Sequence, residues 1–152
     1  MPYRISKSFE IENGHILWKH PDRCRFPHGH SRTVEIILLA DRLDENDMIC
    51  DFKALKQAVY EFIDSWDHAL CLNSEDTNLP LYQKAYAERI IVFPKVDPTS
   101  EVMAKRIYDE VKQRLEIAQA NATAKPYRVP SGVKLERVRI TETSSSWAEY
   151  SE

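Results

Sequence analysis

The stretch 24–30, CRFPHGH, places one cysteine and two histidines within seven residues. His15 lies upstream and the adjacent pair Asp67-His68 lies downstream, so four of the chain's five histidines fall in these places. His28 and His30, two apart on an extended segment, point their imidazoles to one side. Such a pair suits two ligands on one ion, and His15 can supply a third if its segment pairs alongside. Three imidazoles with one open position form a common catalytic zinc arrangement. An ion held this way polarises a carbonyl or alkoxide and lowers the pKa of a bound water. The same residues also fit a structural metal, or no metal at all. His20 reads as a loop bystander.

Cys24 is open to three readings: a fourth ligand, a free thiol that moves protons, or an inert, partly buried cysteine. A free thiol titrates near about 8.5, and a neighbouring cation or metal lowers that value. Asp67-His68 follows a helical stretch. Sequence neighbours do not face each other in a regular element, so spacing alone does not make them a hydrogen-bonded dyad. At a helix end both can still enter one cleft, His68 as a general acid or base and Asp67 as the group that fixes its tautomer. An exposed polar turn is the plainer alternative. Glu142 closes an apolar strand. Ionised, it accepts two N–H donors from a planar, guanidine-like heterocycle; otherwise it is a solvated strand end, the default also for Glu136 and Arg139.

Period-two alternation over residues 3–11 predicts a strand with Tyr3, Ile5, Phe9 and Ile11 on one face. Asn13-Gly14 is a turn signal that places His15 just beyond a bend. Residues 19–27 form a loop, and residues 32–40 (RTVEIILLA) a second strand antiparallel to the first and mostly covered on both faces. Asp51 caps a helix that starts at Phe52 and ends before Asp67, with Phe52, Leu55, Val59, Phe62, Ile63 and Trp66 as its apolar stripe. Residues 71–82 read as a polar loop and residues 89–93 as a short strand. Asp97 or Thr99 caps a second, long helix with Val102, Ile107, Val111, Leu115 and Ala118 facing inward. Residues 121–132 form a link. Residues 133–142 form a last strand whose apolar parity switches, which predicts a bulge near Arg137. The rest is a strand end, a turn, and Trp147 and Tyr150 to pack. The expected fold class is α+β, an antiparallel four-stranded sheet with two helices on one face. The opposite face is then wet or covered by another subunit.

Composition narrows the function. At 152 residues the chain is the size of one domain, 1–152. Its net charge of −3 comes with no basic tract, which disfavours a nucleic-acid partner. With only three glycines there is no phosphate-binding glycine loop. No apolar run is long enough to span a bilayer and the N-terminal residues are not a signal peptide, so no membrane partner is expected. Cys24, Cys50 and Cys71 are odd in number and scattered, which suits a reducing cytoplasm, with Cys50 and Cys71 as small core fillers.

The ordered set NGHIL around His15, CRFPHGH at 24–30, Asp51-Phe52, DHALCLN at 67–73, PTSE at 98–101 and VRITET at 138–143 resembles the 6-pyruvoyltetrahydropterin synthase and 6-carboxytetrahydropterin synthase family, over nearly the whole chain. The resemblance implies the tunnelling fold, trimers stacked as a homohexamer, and active sites between subunits. It implies zinc as cofactor on His15, His28 and His30, Cys24 as the catalytic cysteine, and Asp67 and His68 as its acid/base partners. Glu142 would anchor the pterin ring, with Thr141 and Thr143 adding contacts. The implied substrate is 7,8-dihydroneopterin triphosphate. One branch eliminates triphosphate to give a pyruvoyl pterin; the other also releases acetaldehyde and leaves a 6-carboxylate, on the path to 7-deazapurines such as queuosine. Three residues between Cys24 and His28 resemble the carboxy branch more than the animal pyruvoyl enzyme. Arg32 departs from the family, standing where an aromatic is frequent, which can alter substrate scope or let a basic side chain meet phosphate. The stretch 121–132 is longer than in compact members, and 144–146 is less apolar. Two other readings remain: an aldolase-type cleavage of unphosphorylated dihydroneopterin, and a zinc-stabilised non-catalytic oligomer.

Overall fold

The alternating N-terminal segments become a long antiparallel ladder. In the computed structural model, which describes residues 1–121, 123 and 126–152, strand β1 is Tyr3–Ile16 and β2 is His28–Ala40. They pair continuously from Tyr3 with Ala40 to His15 with His28. The turn expected at Asn13-Gly14 is not there. β1 runs straight through it, and Gly14 lies opposite Gly29. These glycines permit close approach, not a bend: a Cβ on Gly29 would come 3.2 Å from the Asn13 carbonyl oxygen.

The sheet is larger than expected and mixed. β3 (Ala69–Asn73), β4 (Ile90–Phe93), β5 (Lys134–Thr143) and β6 (Ser146–Ser151) join the first pair in the order β4-β3-β1-β2-β5-β6. β3 runs parallel to β1, and β4 parallel to β3. The four-stranded antiparallel expectation is therefore corrected to six strands, with three α-helices where two were expected: α1 (Phe52–Asp64), α2 (Leu79–Tyr86) and α3 (Ser100–Ala120). β3 and α2 lie largely where a polar loop was expected. Cys71, Leu72 and Asn73 are fully buried, so β3 is an interior strand with no alternation to betray it. α2 buries no residue, so it carries no apolar stripe.

The helical caps follow the sequence. Asp51 accepts the Lys53 N–H and Thr99 accepts the Val102 N–H. α1 buries Ala54, Leu55, Val59 and Ile63, while Phe52 is exposed. α3 buries Met103, Ala104, Ile107, Tyr108, Val111 and Leu115. These side chains meet Ile11, Val34, Ile36, Leu38, Val138 and Ile140 of the sheet in one core. The expected bulge lies beside Arg137: Ile37 pairs with Arg137 but Leu38 with Leu135, which leaves Glu136 extra. Of the link at 121–132, Ala122, Ala124 and Lys125 lie outside the described residues; Val129 is buried, and the Gln119 side chain donates to the carbonyls of Pro130 and Val133.

The far face of the sheet carries polar pairs beside the apolar Ile37 and Leu39. Arg4 pairs with Glu136, Ser6 donates to Glu35, and Ser31 donates to Glu12. Among the described residues, no helix is long and apolar enough to cross a membrane.

Candidate active site

His15, His28 and His30 stand at one end of the helix-facing row of the β1–β2 ladder, beyond the apolar core. Pairing His15 opposite His28, with His30 one alternation further along β2, puts all three rings on the same face. Ring centroids are 4.5 Å apart for His15 and His28, and 5.1 Å for each of the other two pairs. One nitrogen from each ring lies within 4.8 Å of the others, and no cysteine or carboxylate shares that cluster among the described residues. Cys24 is therefore not in the cluster, although a fourth-ligand role was open on spacing.

Backbone carbonyls set the tautomers. His15 Nδ1 is 2.8 Å from the Pro98 oxygen, and His28 Nδ1 is 2.7 Å from the Phe26 oxygen. Each carbonyl needs an N–H donor, so each ring keeps its Nε2 lone pair for an ion. His15 Nε2 and His30 Nε2 are 3.2 Å apart. Two bonds of about 2.0–2.1 Å at a tetrahedral angle need roughly 3.3–3.4 Å. The donor set thus fits zinc, with an open side.

His15 is fully buried, and burial pulls its imidazole from the ordinary 6.5 down to about 3, against the raising effect of the Pro98 carbonyl. A neutral ring is what a ligand must be. The sign of the stability effect follows. The folded value lies below the unfolded one, so the metal-free protein has the full contribution of this group above pH 6.5 and loses it as pH falls toward about 3. The expected loss is on the order of a few kcal/mol. Urea denaturation across that range should show it, and His15→Gln should flatten the slope.

Glu142, near the end of β5, closes the open side. Its Oε1 is 3.7 Å from His15 Nε2 and 3.8 Å from His30 Nε2, and it accepts from Ser100 Oγ at 3.4 Å. The side chain is half-exposed. Thr141 faces other work: its Oγ1 accepts the Thr33 N–H at 2.8 Å. Thr143, the last residue of β5, is exposed, its Oγ1 3.3 Å from Ser145 Oγ.

Cys24 sits half-buried in a single 3-10 turn, Arg23–Arg25, directly before β2. Its carbonyl accepts the Leu17 N–H at 2.9 Å, which ties the turn to the end of β1. Cys50 and Cys71 are buried, and burial pushes both thiols up to about 11. Iodoacetamide at pH 8 should therefore alkylate Cys24 in the native protein and reach the other two only after denaturation, as read by peptide mass.

Asp67 and His68 do form a hydrogen-bonded pair, which corrects the spacing argument. His68 adopts a left-handed backbone, φ 57°, which departs from any regular element and brings its Nδ1 to 2.9 Å from Asp67 Oδ2. The other carboxylate oxygen of Asp67 accepts the Glu12 N–H at 2.7 Å, and the His68 N–H donates to the Glu12 carbonyl at 2.6 Å. The Glu12 N–H, and then His68, hold the Asp67 carboxyl below its ordinary range. No hydrogen bond joins this dyad to the three histidines among the described residues, and the His68 side chain is 73 % exposed.

Two residues near the site were not singled out for the roles they have. Asp97 was read as a possible cap. Instead it accepts the N–H groups of Trp18 and Lys19 at 3.0 and 2.8 Å and the Asn73 amide at 2.9 Å, which pins the chain just after His15. Asp97→Ala leaves these three donors without an acceptor and should lower stability by about 2–4 kcal/mol in chemical denaturation. For Arg32, contact with phosphate was one open reading. The side chain is 1 % exposed and lies beneath His15, with no face to solvent.

The family model for 6-pyruvoyl tetrahydropterin synthase matches residues 4–152. The chain belongs to that family. A relative from Aquifex aeolicus named 6-carboxy-5,6,7,8-tetrahydropterin synthase is 34 % identical across all of this chain and 99 % of its own. A Bacillus subtilis protein of the same name is 27 % identical over 97 % of this chain and 84 % of its own. Among solved structures, an uncharacterised Wolinella succinogenes protein superposes with a TM-score of 0.71 at 24 % identity, covering 100 % of this chain and 99 % of that one. Plasmodium vivax 6-pyruvoyl tetrahydropterin synthase gives 0.70 at 14 % identity, covering 100 % and 98 %. The chain thus shares its overall fold with these solved structures.

Proposed function

We propose that the chain is a cytoplasmic, zinc-dependent 6-carboxy-5,6,7,8-tetrahydropterin synthase. It converts 7,8-dihydroneopterin triphosphate with release of acetaldehyde and triphosphate, on a route to 7-deazapurines such as queuosine. The observation that carries this reading is the His15, His28 and His30 cluster with Glu142 at its open side. The full-length likeness to a relative of that name supports it.

Zinc held by the three Nε2 atoms would supply Lewis acidity to the oxygens of the substrate side chain. The chain's own groups do the rest. Glu142 is acceptor-only when ionised, and being half-exposed it can turn from the histidines to the N–H edge of the pterin ring. Thr141 and Thr143 flank it on β5. A fixed ring makes proton transfers on the side chain effectively intramolecular. Cys24 exchanges one side-chain proton. His68 exchanges a second at Nε2, because Asp67 holds its Nδ1. In one chain His68 is open to solvent, so a homohexamer, a dimer of trimers, would complete each site with a neighbour's dyad.

The test is a product assay. Zinc-loaded protein with dihydroneopterin triphosphate should yield one acetaldehyde per pterin consumed and a 6-carboxy product by mass. A pyruvoyl pterin without acetaldehyde moves the chain to the other branch, and turnover of unphosphorylated dihydroneopterin alone moves it to an aldolase.

A further inference from the structure

Arg32 shares the helix-facing row of β2 with His28 and His30, one alternation further along. Its guanidinium is buried and poorly matched. One NH2 group donates to Ser100 Oγ at 3.1 Å and approaches the Thr141 carbonyl at 3.4 Å. The other lies 3.3 and 3.4 Å from the two ring nitrogens of His15. Neither nitrogen can accept from it once an ion is bound, since Nδ1 gives its proton to Pro98 and Nε2 faces the ion. The Nε–H has no partner among the described residues. No carboxylate forms a direct ion pair with Arg32 among the described residues. Ser100 Oγ bridges it to Glu142, taking a bond from Arg32 and giving one at 3.4 Å, and the Glu142 charge also acts on the guanidinium through space.

A protein that buries a guanidinium usually gives it a carboxylate, because the desolvation cost is otherwise unrelieved. Here the charge sits against a ligand ring. An ion about 2.0–2.1 Å from His15 Nε2 lies within about 5.5 Å of the nearer guanidinium nitrogen. At that range a unit and a double positive charge repel strongly, even at the effective dielectric of a protein.

We infer that Arg32 is a positioning residue of the metal centre, whose buried charge loosens the hold on a divalent cation and leaves the ion-loaded site in demand of negative charge. The inference rests on the three-histidine metal site proposed above. Its ligand class is anionic oxygen: a carboxylate or an ionised hydroxyl at the open side binds more tightly with Arg32 than without it. The Ser100 bridge links the same field to Glu142, which stands at the mouth of the cluster.

The direction of the effect separates this role from a structural one. Loss of packing beneath His15 weakens zinc binding, whereas loss of a repelling charge strengthens it. Zinc dissociation constants from chelator competition are to be compared for wild type, Arg32→Met, Arg32→Gln and Arg32→Lys, with folding checked by circular dichroism and melting. The glutamine variant keeps an N–H donor toward Ser100 and covers the case in which the methionine variant does not fold. Both neutral variants should bind zinc about tenfold or more tightly than wild type, and the lysine variant should stay near wild type. In the cobalt-substituted protein, acetate should perturb the visible spectrum at lower concentration in wild type than in Arg32→Gln. A folded neutral variant that binds zinc equally or more weakly overturns the inference, as does a lysine variant that tightens as the neutral ones do. Failure of the metal site itself looks different: wild type and a variant lacking all three histidines would then bind zinc alike.

Discussion

His30→Ala, assayed with saturating substrate after zinc loading, should reduce kcat by about 10³-fold or more and leave well under one zinc per chain. The geometry gives the reason. His30 Nε2 stands 3.2 Å from His15 Nε2, so removing it halves the closest pair of donors and leaves the ion two imidazoles. Lewis-acid stabilisation of charge developing on the substrate is worth several kcal/mol, and each 1.4 kcal/mol is a factor of ten in rate. His28→Ala should behave alike, because the Phe26 carbonyl leaves the Nε2 of that ring free for the ion, as Pro98 does for His15. His20→Ala is the control. Its ring accepts only the Asp22 N–H at 3.0 Å, and its loss should leave zinc content and rate within a factor of two. Exhaustive chelation of wild type should reproduce the His30→Ala rate, and added zinc should restore it. Full activity in protein shown by metal analysis to be zinc-free would end the proposal that an ion takes part.

Much of this site was legible in the chain because its key elements obey short-range rules. His28 and His30 share a strand face by parity alone, whereas His15 was placed beyond a bend and reaches the position opposite His28 because β1 runs straight through Asn13-Gly14. The caps Asp51 and Thr99, and the bulge beside Arg137, follow from local chemistry in the same way. What stayed hidden depends on distant partners. β3 is a strand because β1 and β4 flank it, and its interior position erases the alternation that marks half-buried strands. The Asp67–His68 hydrogen bond needs a left-handed residue that Glu12, 55 residues from Asp67, holds in place. The place of Arg32 was not legible, because arginines are mostly exposed and only the arrival of Ser100 and Thr141 over it shows that it is interior. Asp97 resembled a cap because it stands two residues before one, and its side-chain partners come from β3 and from the chain just after β1.

The exposed dyad leads to the second large effect. Cys24→Ala and His68→Ala, each purified alone, should turn over at about 10³-fold below wild type with zinc content and oligomeric state unchanged, since neither residue belongs to the three-nitrogen cluster. Mixed by co-expression, the two dead chains should regain activity. The reasoning is geometric. His68 is 73 % exposed and its Asp67 partner is tied to the Glu12 backbone, so within one chain the dyad is held rigidly at the sheet while its reactive nitrogen faces outward. If each site takes Cys24 from one subunit and His68 from its neighbour, the His68→Ala chain still offers the thiol and the Cys24→Ala chain still offers the imidazole. Random assembly into symmetric rings then makes roughly one site in four complete, and the mixture should recover about a quarter of wild-type activity. Mixing after purification, without exchange of subunits, should recover nothing until the oligomers are dissociated and reformed. The opposite outcome is equally informative: co-expressed oligomers, verified as mixed by mass, that stay inactive would place Cys24 and His68 of one site on the same chain.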